Sequence, residues 1–205
     1  MVPQINSEED EMIYETYQTL YGEMLSLKLI AEKRLPEEYL ENHYVRDLLG
    51  ELSEGKTQNF QEIVLLMVKV GADTIDVLYR TTEELFDGSC KFCGIQPVGE
   101  IVLDRDSTIA YKEGHEGIVH DAKDVRDKIR KIYEYYSDTI PSILEKSSDT
   151  DKQVYASCLR ESGVAFDEYL SKIDGTCKLF KELNDKVSAA IESRIEYLDK
   201  SRSLF

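Results

Sequence analysis

Pro36-Glu-Glu-Tyr-Leu-Glu41 and Asp73-Thr-Ile-Asp-Val-Leu-Tyr79 mark the two arms of one stretch, Pro36 to Asp87. It reads as a helix, a short polar turn at Gly55 to Gln58, and a second helix running back. Counting outward from the middle of that turn sets Asp73 at the level of Leu40 and Asp76 at the level of Glu37. Steps of three and four put Glu38 with Glu41, Glu37 with Glu41, and Asp73 with Asp76 on one side of their helices. Carboxylates on adjoining turns of two facing helices make the octahedral oxygen site that Mg²⁺ accepts, with Glu38, Glu41, Asp73 and Asp76 as its ligands. Glu51 and Glu54 are the wrong partners: Glu51 lies about eleven residues from the level of Asp73, roughly 16 Å at ~1.5 Å per residue. The same residues also suit a plain structural role. Glu37, Glu38 and Glu41 are first-turn acids at a helix start, and Asp73 to Asp76 would restart a helix after Gly71.

Upstream, Ser7 is a helix start with Glu8, Glu9 and Asp10 in the first turn. Ile13, Tyr17, Leu20, Met24, Leu27 and Ala31 then alternate in steps of four and three, one apolar stripe to about Leu35. Pro36 ends that helix and begins the next. From Glu37 the pattern Leu40, Tyr44, Leu48, Leu52 continues to Gly55, and Asn59 with Glu62 forms a capping pair for the third helix. That helix runs long, or gently broken at Gly71, to about Phe86.

Gly88 opens the one part that does not read as helical. Cys90-Lys-Phe-Cys93 is a tight turn, and Glu100-Ile-Val-Leu103 and Thr108-Ile-Ala-Tyr111 are β-rich runs expected to form a small hairpin. His115 and His120 follow at the expected start of a helix from about Asp121. Two thiolates from a knuckle and two histidines near a helix start suit a tetrahedral structural Zn²⁺, while an ordinary cysteine pair and two surface histidines are the plainer alternative.

Pro141 bends or ends the next helix, and Ser147-Ser-Asp-Thr150 is a turn and helix start. Leu159, Phe166, Ile173, Phe180 and Val187 then recur every seven residues along a long helical seam, with a break possible at Gly175. The seam is bundle core, or else a face for a second copy or a protein partner. Cys158 and Cys177 are expected within the helical core.

Composition narrows the class. Asp+Glu number 41 against 25 Lys+Arg, a formal charge of −16 that repels phosphate backbones and argues against conventional nucleic-acid binding, though not against imitation of nucleic acid. With 41% hydrophobic and 32% charged residues, four prolines and no tryptophan, the chain is helix-rich and too apolar to be disordered. No apolar run spans a bilayer and the first residues lack the features of a signal peptide, so a cytoplasmic protein without membrane contact is expected.

Glu-Glu-x-x-Glu on one helix and an acidic-x-x-Asp-Val-Leu-Tyr run on the next resemble the all-α nucleoside triphosphate pyrophosphohydrolases, the MazG-like superfamily, over residues 36–87 only. The resemblance implies Mg²⁺ held by Glu37, Glu38, Glu41, Asp73 and Asp76, and release of pyrophosphate from a nucleotide substrate by attack of a water. Apart from the resemblance, Lys69 or Arg80 is our own candidate for a contact to phosphate. Asp73 stands where that family has Glu, the two clusters are far apart in sequence, and the C-terminal half has no counterpart. The expectation is a mainly α protein: an antiparallel helical bundle with a β-hairpin insertion and a long C-terminal helix. Its parts are N-terminal helices at 1–87, a Cys/His insertion at 88–120, and helices completing the bundle at 121–205. The expected function is Mg²⁺-dependent nucleotide pyrophosphohydrolysis; the alternative is a non-enzymatic acidic protein that binds a protein partner or mimics DNA, with structural zinc.

Overall fold

The computed structural model describes residues 8–56, 59–92 and 105–202. Every regular element among them is helical: α1 (Glu8–Arg34), α2 (Glu37–Leu40), α3 (His43–Ser53), α4 (Phe60–Phe92), α5 (Arg105–Glu134), a π-helical turn (Tyr135–Thr139), α6 (Ile140–Leu144) and α7 (Thr150–Arg202). None of these helices is long and apolar enough to cross a membrane. The chain divides into two compact units, one formed by residues up to Thr74 together with Val125–Ile173, the other by Ile75–Asp124 together with residues from Asp174 on.

In the first unit the helices alternate in direction. Tyr39 and Glu51 of the α2–α3 arm pair with Asp73 and Asn59 of the α4 arm, so those arms are antiparallel as the turn at Gly55 requires. Rings of Phe60 and Tyr136 lie 6.4 Å apart while Gly71 faces Ile129, which sets α5 antiparallel to α4. Tyr136 bonds Ser162 and Tyr133 bonds Asp167, which turns α7 against α5 in the same sense. The start of α4 is central: Ile63, Val64, Leu66, Met67, Val68, Val70, Ala72 and Thr74 are all buried, and the stripe of Glu62, Leu65 and Lys69 faces solvent.

Gly71 turns out to be a contact rather than a weakness. A Cβ there would come within 2.5 Å of Ile129 Cδ1 and 3.3 Å of Leu27, so its absence lets α4 approach α5 and α1. Helix α4 runs through it unbroken. The long helix α7 likewise passes Gly175 without interruption. Leu159, Phe166, Ile173, Phe180 and Val187 are buried along it, so the seam is core.

The sequence reading is corrected at four places. The helix expected from Glu37 through Leu52 breaks after Leu40, because Asn42 turns its side chain to the amides of Tyr44 and Val45 and caps a new helix. Gly55, at φ +68°, closes that helix as expected, with Lys56 N–H returning to the Glu51 carbonyl and Gly55 N–H to that of Leu52. Thr108–Tyr111, read as a strand, lies in the first turns of α5, and no strand occurs among the described residues. The first expected strand, Glu100 to Leu103, and the expected N-cap Ser7 lie outside the described residues. The helical stripe in fact runs from Thr108 through His115 to Tyr136 in unbroken steps of three and four; polar residues at its first core positions hide it from a hydropathy reading. Finally, Cys158 is exposed and Cys177 only half-buried.

Pro141 disturbs the helix where expected, with a specific compensation. Lacking an N–H, it leaves the carbonyl four residues earlier without its helical donor, and the backbone relaxes into the π-helical turn. That carbonyl, of Ser137, accepts from Arg160 Nη1 at 3.4 Å, while the same guanidinium holds Glu145 at 2.6 Å and the Ser142 hydroxyl at 3.0 Å.

The second unit packs Leu78 of α4 with Ile118 and Ala122 of α5 and Phe180 of α7. Arg105 with Asp199 at 2.7 Å, and His115 with Asn184 at 2.7 Å, set α5 antiparallel to α7 there.

Candidate functional site

The site residues singled out above divide between the two units: Glu37, Glu38, Glu41, Lys69 and Asp73 belong to the first, Asp76 and Arg80 to the second. In the first unit the expected register holds to within one residue. Asp73 was placed opposite Leu40, and its Oδ2 accepts a hydrogen bond of 2.7 Å from the hydroxyl of Tyr39. Tyrosine, not glutamate, is therefore the group that reaches it. Glu37 and Glu38 fill the first turn of α2, which begins behind Pro36, and Glu41 is its C-cap; all three are exposed. Burial first, and then the Asp73 carboxylate, push the Tyr39 phenol well above its ordinary range. It is a neutral donor at physiological pH.

Lys69 is exposed on α4. In the second unit Asp76 is half-buried and pairs with Arg80 one turn on, at 3.0 Å. As placed, these residues do not fit an octahedral cation site. The Tyr39 hydroxyl occupies one oxygen of Asp73, a guanidinium occupies Asp76, and no three His, Cys, Asp or Glu side chains among the described residues stand close enough to hold a metal.

The two histidines expected to bind zinc diverge as well. Cys90 falls in the last turns of α4 and Cys93 lies outside the described residues. His115 and His120 are not at a helix start but in the middle of α5. Five residues apart, they point about 140° from one another around a helix of ~3.6 residues per turn. His115 is 3% exposed, its Nε2 bonded to Asn184 Oδ1 at 2.7 Å and its Nδ1 buried without a hydrogen-bond partner. Burial pushes its pKa down, which keeps the ring neutral, against smaller opposing effects of Asn184 and Glu116. His120 is exposed and lines a shallow groove of about 390 Å³ with His115, Lys123, Asn184 and Ser188. His115 thus serves as a hydrogen-bonded core residue between α5 and α7.

Two residues that matter were missed by the sequence reading, Tyr39 and Asn184. Tyr39 had a signal: it stands one place from the position that the turn count sets opposite Asp73. Asn184 had none, being one polar residue on a long amphipathic helix.

No family model, no curated protein and no solved structure matches this chain.

Proposed function

We propose that the chain is an acidic helical binding protein whose α2–α3 surface meets a basic face of a protein partner. The observation that carries this reading is the outward placement of Glu37, Glu38 and Glu41. Between Glu37 and Glu54 the sequence sets six carboxylates against one arginine, in a chain whose formal charge is −16. A one-sign surface of this kind accelerates and orients encounter with a basic partner, and its effect fades with salt.

The test is fluorescence anisotropy of a labelled lysine-rich peptide against the native chain and a Glu37→Gln, Glu38→Gln, Glu41→Gln variant. The native chain binds with an affinity that falls as salt rises, and the triple variant loses about tenfold at ~0.1 M salt. Equal binding by both would remove the surface from consideration.

The MazG-like hydrolase is the second reading, supported by one observation: the Tyr39–Asp73 hydrogen bond brings Asp73 to the level of the Glu37–Glu41 run. Pyrophosphate release from a panel of common and modified nucleoside triphosphates with Mg²⁺, compared with Asp76→Asn, separates the two. Turnover that the substitution abolishes would establish the enzyme and displace the binding protein.

A further inference from the structure

Tyr14, Tyr17 and Tyr21 stand at i, i+3 and i+7 along α1 and so share one face of it. Opposite them in the same unit are Phe60 at the start of α4, Tyr155 near the start of α7, and Lys56 beside the α3 C-terminus. Together with a few smaller neighbours these residues enclose a cavity of about 680 Å³. That is within the ~300–1,000 Å³ of small-molecule sites and far above the voids of a close-packed interior.

Its inner walls are held in place. The Tyr17 and Phe60 rings meet edge to face with centroids 5.2 Å apart, and the Tyr21 hydroxyl donates to the Leu52 carbonyl, tying that ring to the end of α3. Burial, reinforced by neighbouring Tyr155, keeps the Tyr17 hydroxyl protonated far above its ordinary range, so it is a neutral donor. The rim is open: Tyr14 and Tyr155 are 38% and 39% exposed and offer ring faces to an entering molecule. Lys56 is the one charged residue of the lining, in a chain whose charges are mostly acidic. Its partner Glu54 forms with it an exposed pair, of the weak kind that a competing anion exchanges readily.

We propose that this cavity binds a planar aromatic small molecule carrying one anionic group, with the ring among the tyrosines and the charge at Lys56. Rigid aromatic walls and one cation at the mouth are the complement of such a ligand.

The experiment uses two fluorescent probes that share a ring system, 1-anilinonaphthalene-8-sulfonate and uncharged N-phenyl-1-naphthylamine, titrated into the full chain. The sulfonate binds saturably at one per chain and about fivefold tighter than the neutral probe. Lys56→Gln removes that advantage and leaves the neutral probe unchanged, whereas Tyr155→Ala weakens both about tenfold. The Lys56 side chain is 57% exposed and Tyr155 39%, and thermal melting confirms that each variant stays folded. Unsaturable binding, or binding indifferent to Tyr155→Ala, would overturn the site. Displacement of either probe by phenyltrimethylammonium more effectively than by naphthalene-1-sulfonate would overturn the anionic assignment.

Discussion

Tyr39 donates its phenolic proton to Asp73 Oδ2 at 2.7 Å, joining the single turn of α2 to the middle of α4. Tyr39→Phe removes this bond while keeping the ring, and should cost about 1 kcal/mol in chemical denaturation. Because folding raises the phenol's pKa, the stability it contributes is complete below the ordinary tyrosine value and is lost as pH climbs through the raised one. Melting temperature should therefore fall less steeply above about pH 10 in Tyr39→Phe than in the native chain. Equal slopes would mean that the proton on Tyr39 does not couple to folding.

Gly71→Ala would set a methyl group 2.5 Å from Ile129 Cδ1 and 2.6 Å from its Cγ1. Overpacking at a rigid crossing costs about 1–3 kcal/mol. Ile129→Ala removes both of those atoms, so the double variant should lose less stability than the sum of the two single losses, an interaction measurable in a denaturation cycle.

Ser137 sits in the π-helical turn with its hydroxyl buried and without a hydrogen-bond partner. Ser137→Ala should be neutral or stabilising by up to ~1 kcal/mol, since it deletes an unsatisfied polar group. A Cβ at Gly163 would meet that same hydroxyl at 2.7 Å, so Gly163→Ala should be better tolerated in the Ser137→Ala background than alone. Additive losses would place the strain elsewhere.

His115 gives a pH dependence of opposite sense to that of Tyr39. Its folded pKa is lowered chiefly by burial, so the stability it allows is complete above the ordinary histidine value and declines as pH falls through the lowered one. Melting temperature should drop on acidification from about pH 6.5, and His115→Gln should flatten that decline. In nuclear magnetic resonance the His115 ring should titrate below the free imidazole. A titration at the ordinary value would remove the burial that the structure assigns to it.

Much of the fold was open to reading because helical packing leaves a local trace. The stripes from Ile13 to Ala31 and from Leu159 to Val187, the Pro36 boundary and the Gly55 turn each depend on residues within one or two helical turns of one another. Even the level of Asp73 against the α2 arm follows from counting residues outward from a turn. The start of α5 escaped because burial there falls on Thr108 and His115, whose hydropathy does not advertise a core. The break at Asn42 escaped because a side-chain cap competes with helix continuation on nearly equal terms.

What the sequence alone determined, then, is an acidic helical chain, the face each helix buries and the height at which two arms meet. Tertiary structure decided which atoms touch there. Spacing along a helix sets height and direction, but convergence depends on the distance between axes and the rotation of each helix about its own. At the level of Asp73 that rotation brings in the Tyr39 hydroxyl and leaves Glu37, Glu38 and Glu41 in solvent. The same freedom opened the tyrosine-lined cavity beside α1, since three rings on one helical face become a site only when α3, α4 and α7 stand far enough away to leave space between them.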